Sequence, residues 1–159
     1  MSIQRSMLYI ICLLSAWQLS CQQLDAYEKN EPIRHHNWHS NQLLKGTVSV
    51  TDTHSLYKSS IILRHTDAYA YNNMWIELGW QTPGDSMKYQ KLNLSLGNDA
   101  LGWYGTGLDD IWEVRIPLEK APFQLQKSGI YHYSIRQIMR DDPLQAIMSV
   151  GFRLEKVRS

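Results

Sequence analysis

From Gly46 to the end of the chain, apolar and polar residues trade places at almost every step, in runs broken by turn residues. That is the pattern of strands with one buried face. Val48 and Val50 alternate with Thr47 and Ser49 within Gly46 to Val50. From Leu56 to His65, Ile61, Leu63 and His65 share one face, and Ile62 and Arg64 the other. Asn72 to Trp80 sets Met74, Ile76, Leu78 and Trp80 against Trp75 and Glu77, and Lys88 to Leu96 sets Leu92, Leu94 and Leu96 against Lys91, Asn93 and Ser95. Trp112, Val114, Ile116 and Leu118 oppose Glu113 and Arg115 in the run from Ile111. Tyr131, Tyr133, Ile135, Gln137 and Met139 oppose His132, Ser134 and Arg136 between Gly129 and Arg140, and Val150, Phe152 and Leu154 oppose Arg153 and Glu155 between Ala146 and Val157. With turns at Pro83-Gly84-Asp85, Gly97-Asn98-Asp99, Lys127-Ser128-Gly129 and Asp141-Asp142-Pro143, the pattern predicts an all-β chain. The expected fold is an antiparallel β-sandwich of seven to eight strands, with a jelly-roll topology. No stretch of this region sustains the 3.6-residue period of a long helix, and no internal repeat or low-complexity tract is present.

The first part of the chain reads differently. Arg5 is followed by an apolar run from Met7 to Leu14 and then by Leu19-Ser20-Cys21. Such a run is far short of the roughly 20 residues a membrane-spanning helix needs. The layout is that of a bacterial lipoprotein signal peptide, residues 1–20, with Cys21 as the lipidated first residue of the mature chain. Gln18 departs from the usual Leu of the lipidation motif. Acyl chains on Cys21 would hold the protein on a membrane at about 0.8 kcal/mol per buried CH₂. Gln22 to Asn37 shows almost no apolar periodicity and includes Asp25, Glu28, Lys29, Glu31 and Pro32, so residues 21–37 are expected to form a flexible tether. The β-sandwich domain is then expected over residues 38–159.

Composition narrows the chemistry. Cys12 lies in the signal segment, so Cys21 is the one cysteine of the mature chain and its lipidation removes thiol and disulfide chemistry from the domain. The chain holds 16 basic and 15 acidic residues, and loss of Arg5 leaves 15 against 15. That balance excludes the basic excess that nucleic acid demands.

The segment Leu101-Gly102-Trp103-Tyr104-Gly105-Thr106-Gly107 is the most unusual of the domain. A strand follows it where a phosphate-binding loop would have a helix. Two readings of it stand. It presents Trp103 or Tyr104 to a glycan or a protein partner, or Trp103 plugs one end of the sandwich and the glycines permit the turn. His35-His36-Asn37-Trp38-His39 supplies local spacing without the converging ligands of a zinc site. Asp109-Asp110 and Asp141-Asp142 have the acidity of calcium-binding loops, but each sits beside a turn, where Asp serves the local backbone. No metal site, cofactor or hydrolase motif is read from the chain, and Asp67 and Glu77 qualify as catalytic carboxylates only generically.

Laid out in order, Cys21, Trp38, Ile62-Leu63-Arg64-His65, Tyr69-Ala70-Tyr71-Asn72-Asn73-Met74-Trp75-Ile76, Gly102-Trp103-Tyr104-Gly105-Thr106-Gly107, Gly129-Ile130-Tyr131, Gln137-Ile138-Met139-Arg140 and the closing Val150-Gly151-Phe152-Arg153-Leu154-Glu155-Lys156 form a combination. In that combination the chain resembles the GldH gliding-motility lipoproteins of Bacteroidetes over nearly its whole length. The resemblance implies an outer-membrane-associated, lipid-anchored protein linked to gliding and to the secretion machinery that delivers gliding adhesins. It brings no catalytic residues with it. The expected role is therefore a non-enzymatic scaffold contacting envelope proteins through a patch near Trp103, Tyr104, Asn72 and Asn73. A lipid-anchored glycan-binding module using Trp75, Trp103 and Tyr104 is the alternative.

Overall fold

A computed structural model describes residues 26–157. Its elements in chain order are β1 (Ala26–Pro32), a 3₁₀ turn (Arg34–His36), β2 (Leu44–Val50), β3 (Leu56–Thr66), β4 (Asn73–Gln81), β5 (Lys88–Ser95), β6 (Gly97–Asn98), β7 (Gly102–Trp103), β8 (Thr106–Leu108), β9 (Ile111–Pro117), β10 (Phe123–Gln124), β11 (Gly129–Gln137) and β12 (Ile147–Lys156). All strand pairs are antiparallel. One sheet runs β1-β12-β3-β9-β8, with β10 also paired to β3; the second runs β2-β11-β4-β5; β6 and β7 form a small hairpin.

The eight long strands make the topology explicit. β1 pairs with β12, β2 with β11, β3 with β9 and β4 with β5, which are the rungs of one long hairpin. Wrapping that hairpin brings β12 beside β3 and β11 beside β4, closing two sheets over one core. This is the expected jelly-roll sandwich. The seven strands read from alternation are all present, and β1 is the eighth. Between the sheets, the Phe152 ring lies 4.5 Å from Tyr133 and 5.7 Å from Trp80, and Trp80 lies 5.3 Å from Tyr131. Ile61, Leu63, Met74, Ile76 and Ile135 fill the remaining layers.

The tether reading is corrected by β1. Residues 26–32 pair with β12 from Ala26 opposite Glu155 to Pro32 opposite Ser149, and Ile33 and Trp38 are buried. Side-chain contacts across strands replace the missing apolar alternation. Glu28 accepts from Arg153 at 2.7 Å and Arg115 at 3.1 Å, and the Tyr27 hydroxyl meets that of Tyr133 at 3.1 Å. Partial burial opposes ionisation of Glu28, but its arginine partners outweigh this and hold its pKa below the ordinary value. Cys21 and residues 22–25 lie outside the described residues.

Because the strands alternate in direction, the connections fall at two ends. One end carries segments 33–43, 67–72, 96–110 and 138–146; the other carries the start of β1 and the turns after β2, β4 and β9. The first end is cross-tied. Trp38 and Leu144 exchange backbone hydrogen bonds of 2.8 and 2.9 Å, and Asp142 accepts from the Ser40 amide and hydroxyl. Gln137, fully buried, donates to the carbonyls of Trp38 and Asp141 and accepts from the Met139 amide.

If β1 is integral, a chain beginning at Ile33 loses a full strand ladder. With each ladder bond worth about 0.5–1.5 kcal/mol, it should lose several kcal/mol of stability. A urea titration followed by tryptophan fluorescence measures this; an unchanged midpoint would return residues 26–32 to the role of a tether.

Candidate functional site

Three surfaces compete for a functional role, and packing separates them. On the outer face of the larger sheet, the row Asn30, Gly151, Ile62 and Arg115 crosses four strands. Ile62 points away from the core yet is only 1% exposed. Over this face runs a chain of ion pairs in which Arg64 meets Glu113 at 2.8 Å, Glu113 meets Arg115 at 2.9 Å, Arg115 and Arg153 share Glu28, and Arg153 reaches Glu155 at 2.6 Å. Its charges are satisfied internally.

The cross-tied end holds the glycine-rich segment. Trp103 stacks edge-on against His65 with ring centroids 4.5 Å apart and leans on Tyr69 at 6.2 Å. Tyr69 in turn meets Tyr71 at 5.8 Å and donates its hydroxyl to the Asn73 carbonyl. Tyr104 is half-buried, and its hydroxyl accepts from the Asn98 side chain at 2.8 Å. The glycines serve the turn: Gly102 and Gly105 have φ of 74° and 89°, where a side chain is strained. This is the geometry of the plug reading. A shallow cleft of about 470 Å³ remains beside it, lined by Asn72, Trp103, Tyr71 and Asn98 among others.

His65 lies beneath that plug and is fully buried. Its Nδ1 is 2.8 Å from the Thr66 carbonyl, so that nitrogen carries the proton and Nε2 is left as an acceptor with no partner. Burial pushes the His65 pKa down, against the smaller opposing pull of the Thr66 carbonyl. Burial likewise raises the pKa of Tyr69, with Tyr71 and Asp141 adding to it.

The outer face of the four-stranded sheet is the open one. Trp75 is 42% exposed there, opposite Asn93, and Asn73 donates to the Asn93 side chain at 2.7 Å. Glu77 pairs with Arg136 at 2.7 Å in the next row, which gives it a structural partner. Beyond lie Tyr89, 61% exposed, with Ser134 and His132. Of the residues singled out from sequence, Asn73 and Trp75 therefore share this face, Trp103 and Tyr104 belong to the plug, and exposed Asn72 joins the two, its carbonyl accepting from Leu96 and Gly97. Tyr89, Ser134 and His132 were not singled out; each occupies an outward position of its strand, and nothing in the alternation marks it among other outward polar residues. Among the described residues, no three His, Cys, Asp or Glu side chains converge to hold a metal.

The family model described as GldH lipoprotein matches residues 25–154, which takes in β1 and nearly all of β12. The chain belongs to the GldH lipoprotein family. A gliding motility lipoprotein GldH homolog of Christiangramia forsetii is 28% identical over 144 residues, covering 86% of this chain and 87% of the relative. The gliding motility lipoprotein GldH of Flavobacterium johnsoniae is 23% identical over 154 residues, covering 92% and 94%. Among solved structures, the VP2 subviral particle of infectious bursal disease virus matches with a TM-score of 0.35 and 12% identity, over 85% of this chain and 31% of that one. For this GldH family member the match includes all of β1, so the family unit takes in the strand that pairs with β12.

Because folded His65 resists protonation, the unfolded chain takes up the proton first as pH falls. His65 therefore leaves stability intact above the ordinary histidine pKa of about 6.5 and withdraws it progressively as pH falls below that value. Urea midpoints between pH 8 and 5 should decline on the acid side, and His65→Phe should flatten the decline; equal slopes in both proteins would show that His65 does not titrate out of register with the unfolded chain.

Proposed function

We propose that this protein is a lipid-anchored, non-catalytic component of the outer-membrane machinery of gliding and its associated protein secretion, acting as a scaffold. The observation that carries the reading is the docking of β1 in a member of the GldH lipoprotein family. Ala26 is five residue steps from Cys21 (26 − 21), so a lipid on Cys21 would lie within about 18 Å of the sandwich, at about 3.6 Å per residue. The start of β1 would then face the membrane. The cross-tied end, with Asn72, Trp103 and Tyr104, would face away from it, and Trp75 and Asn73 would border that end. Confinement near a membrane raises the local concentration of the domain beside membrane partners without any new contact. Relatives named as gliding motility lipoproteins support the assignment to gliding.

The reading is tested by fractionation and crosslinking in the native host. Full-length protein should sediment with outer membranes and Cys21→Ser should not. A photo-crosslinker at Asn72 should capture gliding or secretion components of the outer membrane, and Trp75→Ala should reduce that capture severalfold while leaving fractionation unchanged. Cys21→Ser that stays in the outer membrane would remove the anchor, and an Asn72 crosslinker that captures none of those components would remove the partner surface.

A further inference from the structure

A second feature of the four-stranded sheet is independent of the gliding assignment. A cleft of about 650 Å³ opens on its outer face and runs to the β2 edge, where Tyr27 and Lys29 of β1 complete the wall. Lys45, Ser134 and Tyr89 line it and share one row across the sheet with Gly79, one residue from each strand. Gly79 lets its neighbours close over it: a Cβ there would lie 2.4 Å from Ser134 Oγ, 2.9 Å from the Tyr89 ring and 3.1 Å from Met87 Sδ. Those three side chains converge on the space above a bare backbone.

Ser134 is only 3% exposed, yet its hydroxyl opens on the cleft and makes no hydrogen bond within the described protein. The hydroxyl is therefore turned to the open cleft, where it is free to donate to and accept from a ligand. Around it stand Thr47, His132 and the Lys45 ammonium, also without side-chain partners, and Gln81, which donates to the Asp85 carbonyl and keeps its own carbonyl oxygen free. Lys29 is already paired with Glu31 at 2.5 Å. Among the described residues, no carboxylate lines the cleft. The walls thus combine a flat aromatic face, a row of single hydroxyl, imidazole and amide groups, and one uncompensated cation. An apolar peptide side chain finds no enclosed pocket among these groups. A pyranose does find partners: its C–H face suits an exposed tyrosine ring, its hydroxyls suit scattered donors and acceptors, and an acidic substituent suits a lysine.

We infer that this cleft binds an acidic saccharide, with one sugar ring stacked on Tyr89, hydroxyls met by Ser134, Thr47 and His132, and the sugar carboxylate held by Lys45. The site differs from the expected aromatic loop, whose Trp103 is engaged by His65 and Tyr69.

Trigalacturonate titrated into the full chain in detergent, followed by calorimetry and by amide NMR, tests the assignment. Binding should shift the signals of Ser134, His132 and Tyr89. Tyr89→Ala should weaken it about tenfold or more, and Lys45→Gln about tenfold, the loss expected for a charge-assisted hydrogen bond. Both residues are exposed, so unchanged thermal unfolding confirms that the variants fold. Soluble polymers and surface glycolipids both offer acidic rings. Tighter binding of the same trisaccharide displayed on phosphatidylcholine vesicles assigns the glycolipid, equal binding assigns the soluble polymer, and either supports the site. No binding, equal affinity for neutral maltotriose, or full affinity in Tyr89→Ala would overturn it.

Discussion

The pairing of β1 with β12 is the contact on which the rest of this molecule depends. It completes the long hairpin whose wrapping generates both sheets, and it places Tyr27 against Tyr133 at the rim of the core. It also brings Glu28 between Arg115 and Arg153, so a carboxylate from the first strand ties together two strands far along the chain. Without β1, the ion-pair chain over the larger sheet would lose its central carboxylate. Individual exposed ion pairs contribute little, but a shared carboxylate among arginines that also meet Glu113 and Glu155 fixes each side chain through the others.

That network explains why the two outer faces differ in what they can do. Ile62 points out of the larger sheet and would expose an apolar patch, yet the row it occupies includes Gly151, over which the Asn30 side chain lies. Asn30, the arginines and their carboxylates leave Ile62 almost without water contact. On the smaller sheet Gly79 is covered in the same way, by Ser134, Tyr89 and Met87, but the polar groups around it are not joined into a network, and a cleft remains beside them.

The seven long strands from β2 onward were legible because most apolar positions of each fall on one face, which a single sequence records. β1 was not. Ala26-Tyr27-Glu28-Lys29-Asn30-Glu31-Pro32 carries one large apolar residue, and its place in the sheet comes from Arg115, Arg153, Tyr133 and Gly151, all distant in sequence. The two readings of Trp103 also required distant residues to separate them, since the rings that engage it, His65 and Tyr69, arrive from the end of β3 and the connection after it. Outward residues such as Tyr89, Ser134 and His132 were assigned to no role because strand period tells direction and not neighbours. Their convergence depends on the register that sets Gly79 between Ser134 and Tyr89.

The same register separates the candidate surfaces in space. Trp75 and Asn73 lie at the start of β4, beside the cross-tied end, whereas Gln81 at the close of that strand lines the cleft with His132 and Thr47. Three further residues of β4 intervene between Trp75 and Gly79, and among them Glu77 is occupied by Arg136. A ligand seated on Tyr89 therefore leaves Trp75 and Asn72 uncovered, and the two proposed contacts draw on different side chains of one rigid sheet. β1 also contributes Tyr27 and Lys29 to the wall of the cleft. Alteration of β1 therefore acts on fold and surface together, since it closes the larger sheet against β12 and supplies Tyr27 and Lys29 to a cleft whose other walls come from β2, β4, β5 and β11.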